Sequence, residues 1–326
     1  MAMQSDATID GNLRSSALAD GWLQLLAPAK LNLSLAVLAR RPDGYHDIES
    51  LMVPVSLADS LHLRAVDTPG TKLAIRFGGR LAGTAGAVLR RDVPADDSNL
   101  VVRAARLLAE EAGVARGLEV TLIKEIPSGA GLGGGSSDAA AVLRGAAAVW
   151  DLDWPAERLA EIGARIGSDV PWFFAGGPAI ASGRGERIEP VPGLPLLHAV
   201  IACPADGLST PAVYGRCVPD IARQGDAHRL AAALAKGDLC GAADAMHNAL
   251  EDPARSLSAD INGLLAAIEA AGGMRPMLTG SGSACFTLAR THQEARSIAA
   301  RLDAAGWPGV FVVRVGGSGV AGPVIG

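Results

Sequence analysis

Aromatic residues make up only 4% of this 326-residue chain, and just two of them are tyrosines. Cysteine is also sparse: Cys203, Cys217, Cys240 and Cys285 stand far apart, with no CxxC pair and no histidine at ligand spacing. That pattern supports neither a structural zinc site nor a disulfide framework. It fits buried or incidental thiols in a reducing cytosol. No dense block of lysine or arginine occurs, and the formal charge is −5. Proteins that live on nucleic acid carry a basic stripe, so no nucleic-acid partner is expected and any phosphate site must be local. No run approaches the ~20 apolar residues of a membrane span, so no membrane partner is expected either. The first residues lack the basic start and apolar core of a signal peptide. Residues 1–21 read as a disordered leader and Gly316–Gly326 as a flexible tail. A cytoplasmic protein acting on a small molecule is expected, as a monomer or weak homodimer.

What is present divides into two parts, as the length allows. Leu31, Leu33, Leu35 and Val37 alternate with Lys30, Asn32, Ser34 and Ala36, the period-two pattern of a half-buried strand. Lys30 and Asn32 then share the face opposite the leucines, about 7 Å apart. Further strands are predicted at Ile48–Leu57, Leu61–Val66, Lys72–Phe77 and Leu118–Ile123. A helix fits Asn99–Ala112, capped by Ser98 and stopped by Gly113. Others fit from about Ser137 to Val149 and Ala156–Ile166. Pro190–Pro195 reads as an inter-domain linker. Beyond it come a strand at His198–Ala202, helices across about Ala212–Ala271, strands at Met277–Leu278 and Ala284–Leu288, helix His292–Ala305 and strand Val310–Val315. With the helical stretch as an insertion, that is the βαββαβ order of a ferredoxin-like unit. The fold class is α+β, with domains expected at 22–190 and 196–315.

Between a strand and a helix lies Pro127-Ser128-Gly129-Ala130-Gly131-Leu132-Gly133-Gly134-Gly135-Ser136-Ser137. Glycines let the backbone approach an anion closely, and the free N–H groups at a helix start point at phosphate oxygens. Gly129, Gly131 and Gly134 also satisfy the GxGxxG dinucleotide fingerprint, with Asp151 or Asp153 at roughly the later distance. That fingerprint requires a second strand ending in the acidic residue. Here Trp154 and Pro155 lead into another helix instead. A Walker A loop requires GK followed by Ser or Thr, and the lysine is missing. A plain flexible turn is the remaining alternative.

Three segments in order, Pro28-Ala-Lys-Leu-Asn-Leu33, the glycine-rich loop and Leu278-Thr-Gly-Ser-Gly-Ser-Ala-Cys-Phe286, resemble the motifs of the GHMP kinase superfamily. Arg41-Pro-Asp-Gly-Tyr-His-Asp47, Asn99-Leu-Val-Val-Arg-Ala-Ala105 and Gly167-Ser-Asp-Val-Pro171 narrow the resemblance. They look like the branch that phosphorylates the 2-hydroxyl of 4-diphosphocytidyl-2-C-methyl-D-erythritol, in the non-mevalonate route to isoprenoid precursors. The resemblance spans about Leu25 to Val315. It implies a ribosomal-protein-S5-domain-2-like ATP-binding domain followed by a ferredoxin-like domain, with ATP as co-substrate and Mg²⁺ at the phosphates.

The resemblance also assigns roles. Asp169 is the catalytic carboxylate and Lys30 its partner. Asn32, on the same strand face as Lys30, is read from that placement as positioning the substrate hydroxyl or satisfying a turn. Tyr45, His46 and Tyr214, with Thr210 nearby, hold the cytosine. Asn99 and Lys124 lie near the adenine, Gly280 and Ser281 contact the substrate diphosphate, and Ser137 is a candidate metal ligand. The chemistry is consistent: an alcohol has a pKa near ~16 and a free carboxylic acid near ~3.9, so full deprotonation in the ground state is not expected. An ammonium about 4 Å away, at an effective dielectric of about 20, favours the alkoxide by about 4 kcal/mol. Taken singly, Asp169 could be a turn former, Lys30 a strand-end lysine, and the tyrosines packing aromatics.

Overall fold

The computed structural model describes residues 15–17, 21–84, 86–91 and 93–316. A short strand, β1 (Ser15–Ala17), pairs antiparallel with β2 (Leu23–Asn32). The expected leader therefore carries a strand, while its residues 1–14 and 18–20 and the tail beyond Gly316 lie outside the described residues. The alternating segment does not run on as one half-buried strand. It breaks at Leu33 and Ser34 before β3 (Ala36–Arg40). Both of its faces are buried, with Lys30 4% and Asn32 2% exposed, because structure covers the sheet on either side at this point.

The two strands expected between Ile48 and Val66 are one strand of 21 residues, β4 (His46–Val66). The polar Asp59-Ser60 pair looks like a break in sequence. It continues the strand because Asp59 finds partners: its carboxylate accepts from the Lys124 ammonium and from the Glu125 and Ile126 N–H groups, at 2.6 and 2.9 Å. β4 is the spine of the molecule, pairing in turn with β3, β2 and later strands. β5 (Thr71–Phe77) runs parallel to β6 (Gly117–Lys124). They are joined through α1 (Ala87–Arg90) and α2 (Leu100–Ala112). The cap of α2 is Asn99, one residue after the expected Ser98: its side chain accepts from the Val101 N–H at 2.9 Å, while the Ser98 hydroxyl is taken by Asp96. Gly113 stops the helix in the left-handed region, as expected.

α3 (Gly134–Val149) starts three residues earlier than expected. Ala139, Ala140, Ala141 and Ala146 are fully buried along it, and small side chains let the helix lie close on β2 and β4. It is followed by α4 (Ala156–Ala164) and a turn, not by a strand. That sequence of elements rules out the dinucleotide unit. A hairpin of β7 (Ala179–Gly183) and β8 (Arg187–Pro190) returns along the first part of β4. The expected linker continues from the end of β8 and buries Leu194.

The second half opens with β9 (Leu197–Cys203) and α5 (Thr210–Tyr214). Then come α6 (Asp226–Lys236), α7 (Leu239–Ala245), α8 (Glu251–Leu257) and α9 (Ala259–Ala270). β10 (Met274–Leu278), β11 (Cys285–Ala289), α10 (His292–Ala304) and β12 (Gly309–Val315) complete it. The strands lie side by side as β12-β9-β11-β10, all antiparallel, which is the arrangement of a ferredoxin-like sheet. One register pair, Val315 opposite Val55, joins this sheet to β4.

Candidate active site

A cavity of about 750 Å³ lies where the two halves face each other. Its floor is the end of β2. Lys30 and Asn32 point into it, and the Lys30 ammonium donates to the Asn32 side-chain oxygen. Asn32 is locked in turn: its amide nitrogen donates to the Ser50 hydroxyl at 2.7 Å, and its backbone N–H to the Thr279 hydroxyl at 3.0 Å. Burial lowers the Lys30 pKa, and the nearby Asp169 carboxylate partly opposes the shift. No ion pair joins the two, so they flank open space. Asp169 sits on a turn fixed by its neighbours Val170, Trp172 and Phe173, all fully buried. It caps no helix, and its carboxylate accepts no hydrogen bond from a described residue. An unengaged carboxylate opposite an ammonium can take a proton from a hydroxyl placed between them.

The glycine-rich loop forms one wall. Gly129, Gly131 and Gly133 line the cavity, while Gly135 is exposed and Ser136 half-buried at the start of α3. Pro127, Ala130 and Leu132 turn the other way, into the core. Burying Leu132 anchors the loop by about 1.5–3 kcal/mol relative to leaving it exposed. Gly131 has φ 77°, and a Cβ there would lie 2.3 Å from the Thr279 carbonyl oxygen, so no other residue fits. The Lys30 N–H donates to the Leu132 carbonyl at 3.0 Å, tying strand to loop. The backbone N–H groups of Gly131, Gly133, Gly134 and Gly135 donate to no described residue. With the start of α3 behind them they form a nest for an anion.

Part of the cavity lining is aromatic. The His46 and Tyr214 rings are 5.2 Å apart and tilted by 34°. Tyr45 is 54% exposed at the mouth, with the Arg184 guanidinium 5.0 Å from its ring centroid. Burial and Arg40 lower the His46 pKa, which favours the neutral ring, a form that donates at one nitrogen and accepts at the other. Burial, with Asp169 and Cys217 nearby, raises the Tyr214 phenol well above its usual value. Thr210 and Ser281 share a hydrogen bond of 2.8 Å beside Gly280. The Asn248 amide holds this last loop by donating to the Leu278 and Gly280 carbonyls, each at 2.9 Å. Sequence reasoning missed Asn248, Arg40 and Arg184, which lie outside the motif segments or beside them.

Three further expected site residues do not line this cavity. Lys124 does not line the cavity; its ammonium is buried between Asp59 and Asp138. Burial disfavours that charge, but the two carboxylates prevail and raise the Lys124 pKa. Asn99 is occupied as the α2 cap, and its amide donates to the Pro94 carbonyl at 2.6 Å. The Ser137 hydroxyl is fully buried without a hydrogen-bond partner. Among the described residues no group of three or more His, Cys, Asp or Glu could hold a metal ion. The described residues alone therefore build no cage for Mg²⁺, a cation that takes many of its oxygens from phosphates and water.

The chain matches the family profile of the GHMP kinases N terminal domain over residues 99–177 and that of the GHMP kinases C terminal over residues 230–309. It is 41% identical over 314 residues to a 4-diphosphocytidyl-2-C-methyl-D-erythritol kinase of Rhodopirellula baltica, a match covering 90% of this chain and 94% of that one. It is 38% identical over 274 residues to the kinase of that name from Bacillus cytotoxicus, covering 84% and 90%. Among solved structures, a 4-(cytidine 5'-diphospho)-2C-methyl-D-erythritol kinase aligns with TM-score 0.71 at 36% identity, over 90% of this chain and 99% of that one. Homoserine kinase from Cytophaga hutchinsonii aligns at 0.68 and 20% identity, over 92% and 96%, a likeness of fold.

Proposed function

We infer the reaction from the family: this chain belongs to the GHMP kinases, among the 4-diphosphocytidyl-2-C-methyl-D-erythritol kinases, and it transfers the γ-phosphoryl group of ATP to the 2-hydroxyl of that substrate. The products are the 2-phosphate and ADP, in the non-mevalonate route to isoprenoid precursors. The observation that carries this reading is one cavity whose lining combines two kinds of group: Lys30 and Asp169, and the rings of Tyr45, His46 and Tyr214. A cytidyl group joined to a small polyol through a diphosphate offers a partner to each. The nucleobase stacks on the rings while the hydroxyl reaches the ammonium and carboxylate.

Lys30, held by Asn32, stabilises the oxygen as negative charge develops on it. Asp169 accepts the proton, late, as the new O–P bond forms in a loose transition state. The glycine-loop N–H groups steady the ATP phosphates. Mg²⁺ supplies charge neutralisation to those phosphates when bound. The direct test is ADP release with the cytidyl substrate present and absent. Release that depends on it supports the reading; equal release with homoserine or a mevalonate derivative would overturn the assigned acceptor.

Stacking of a base on an aromatic ring contributes about 1–3 kcal/mol. Tyr45→Ala is accordingly expected to raise the KM for the cytidyl substrate by about tenfold, leaving the KM for ATP unchanged. An unchanged KM for the cytidyl substrate removes the nucleobase from that ring.

A further inference from the structure

Arg91 stands outside every motif and outside the cavity lining, yet its side chain ties together three segments around the glycine-rich loop. One guanidinium nitrogen donates to the Ser128 and Gly129 carbonyls, both at 2.6 Å. The other donates to the Ser283 hydroxyl at 3.1 Å, and that hydroxyl donates onward to the Asp206 carbonyl at 2.7 Å. The group lies against Gly207, where a Cβ would approach it to 2.5 Å. Its backbone has φ 38°, a left-handed value unusual for any residue but glycine. Such strain persists where the surroundings over-determine the conformation.

We propose that Arg91 is a positioning residue for nucleotide binding, fixing the peptide planes of the phosphate loop and clasping that loop to the Gly280–Ser283 loop of the other half. A trans peptide is planar, with its N–H opposed to its C=O. The carbonyls of Ser128 and Gly129 are drawn to the guanidinium, so the N–H groups of Gly129 and Ala130 are turned to the opposite side. Neither donates to a described residue. Arg91 thus aims two donors that an anion can use, without touching the anion itself. The clasp acts alongside a backbone bond between the same loops, from the Ala284 N–H to the Ala130 carbonyl at 3.0 Å. Among the described residues Arg91 donates no hydrogen bond to a carboxylate; burial lowers its pKa, and the influence of Cys203 and Asp206 opposes that shift.

The inference rests only on the ATP-binding part of the proposed function, and the test is built on that part. Calorimetric titration of the full chain with ATP, without acceptor, is expected to show affinity reduced on the order of tenfold in Arg91→Ala. The KM for the cytidyl substrate stays at the wild-type value, and the melting temperature falls by no more than a few degrees. Arg91→Lys, which keeps the charge and part of the grip, recovers some of the lost affinity. Unchanged ATP affinity in a folded alanine variant overturns the proposal. So does a parallel loss of ATP affinity, acceptor affinity and melting temperature, which marks a general structural role. If the alanine variant does not fold, Arg91→Lys decides alone, and wild-type ATP affinity there overturns the proposal. A wild-type chain that binds ATP but ignores the cytidyl acceptor defeats the acceptor assignment and leaves this inference standing.

Discussion

Asp169→Ala is expected to lower turnover by roughly 10²–10⁴-fold, the range for loss of a positioned general base, with ATP binding unchanged. The separation of effects follows from position. The carboxylate faces the cavity from the turn before Pro171, on a support of fully buried Val170, Trp172 and Phe173 that the substitution does not touch. The glycine-rich loop and the clasp at Arg91 are likewise intact. Steady-state ADP release reads the first effect and calorimetry with ATP alone reads the second. Near-normal turnover would remove Asp169 from the chemistry and turn attention to how far Lys30 alone activates the hydroxyl.

The second large effect concerns stability. Asp59→Ala is expected to destabilise the fold by about 3–5 kcal/mol, because it strips a buried lysine of one partner. It also leaves the Glu125 and Ile126 N–H groups without the oxygen they share. Asp138→Asn, on the other side of the same lysine, is expected to behave differently. Burial pushes the Asp138 carboxyl up to about 8, against the pull of Lys124. A folded-state pKa above the unfolded 3.8 means the native state binds more protons between those values. That contribution is fully present below pH 3.8 and fades as pH rises through about 8. Urea unfolding of the wild-type chain should therefore show stability declining between about pH 4 and pH 8 and levelling above that, whereas Asp138→Asn should be flatter there. A wild-type profile as flat as that of Asp138→Asn would place the charge on Asp138 throughout.

The same trio shows where the sequence was legible and where it was not. Motifs read well when a local constraint produced them: the glycines at 129, 131 and 133, whose φ values are all positive, and the small-residue loop at 280–283 that packs on them. The ferredoxin-like order was readable for the same reason, since each strand and helix carries its own periodicity. Lys124 invites the reading of a ligand contact because it is a lysine beside a phosphate loop. Nothing local reveals that Asp59, 65 residues earlier, has claimed it. The continuity of β4 failed on the same residue, for a polar pair reads as a break until its distant partners are known. Asn99 and Ser98 are equally good caps by composition, and only the bond from Ser98 to Asp96 decides between them. Arg91 and Arg184 carry no motif at all; their importance is purely one of three-dimensional proximity.

The joint between the two sheets consists of Val315 opposite Val55, the Gly316 N–H to the Pro54 carbonyl at 3.0 Å, and the Arg314 N–H to the Ser56 hydroxyl at 3.0 Å. In mechanical terms β4 is a shaft, and the second sheet is a leaf seated along it rather than hung at one point. Glu49 accepts from the Gly225 and Ala227 N–H groups, Leu35 exchanges backbone bonds with His247 and Ala249, and one buried cluster runs from Leu31 and Val53 to Ile201 and Phe286. At the cleft itself Ala284 bonds to Ala130 and the Thr279 carbonyl packs against Gly131. A seam braced at so many points resists twisting as well as pulling apart, so the side chains lining the cleft, rather than rotation of the sheets, set how large an acceptor it admits.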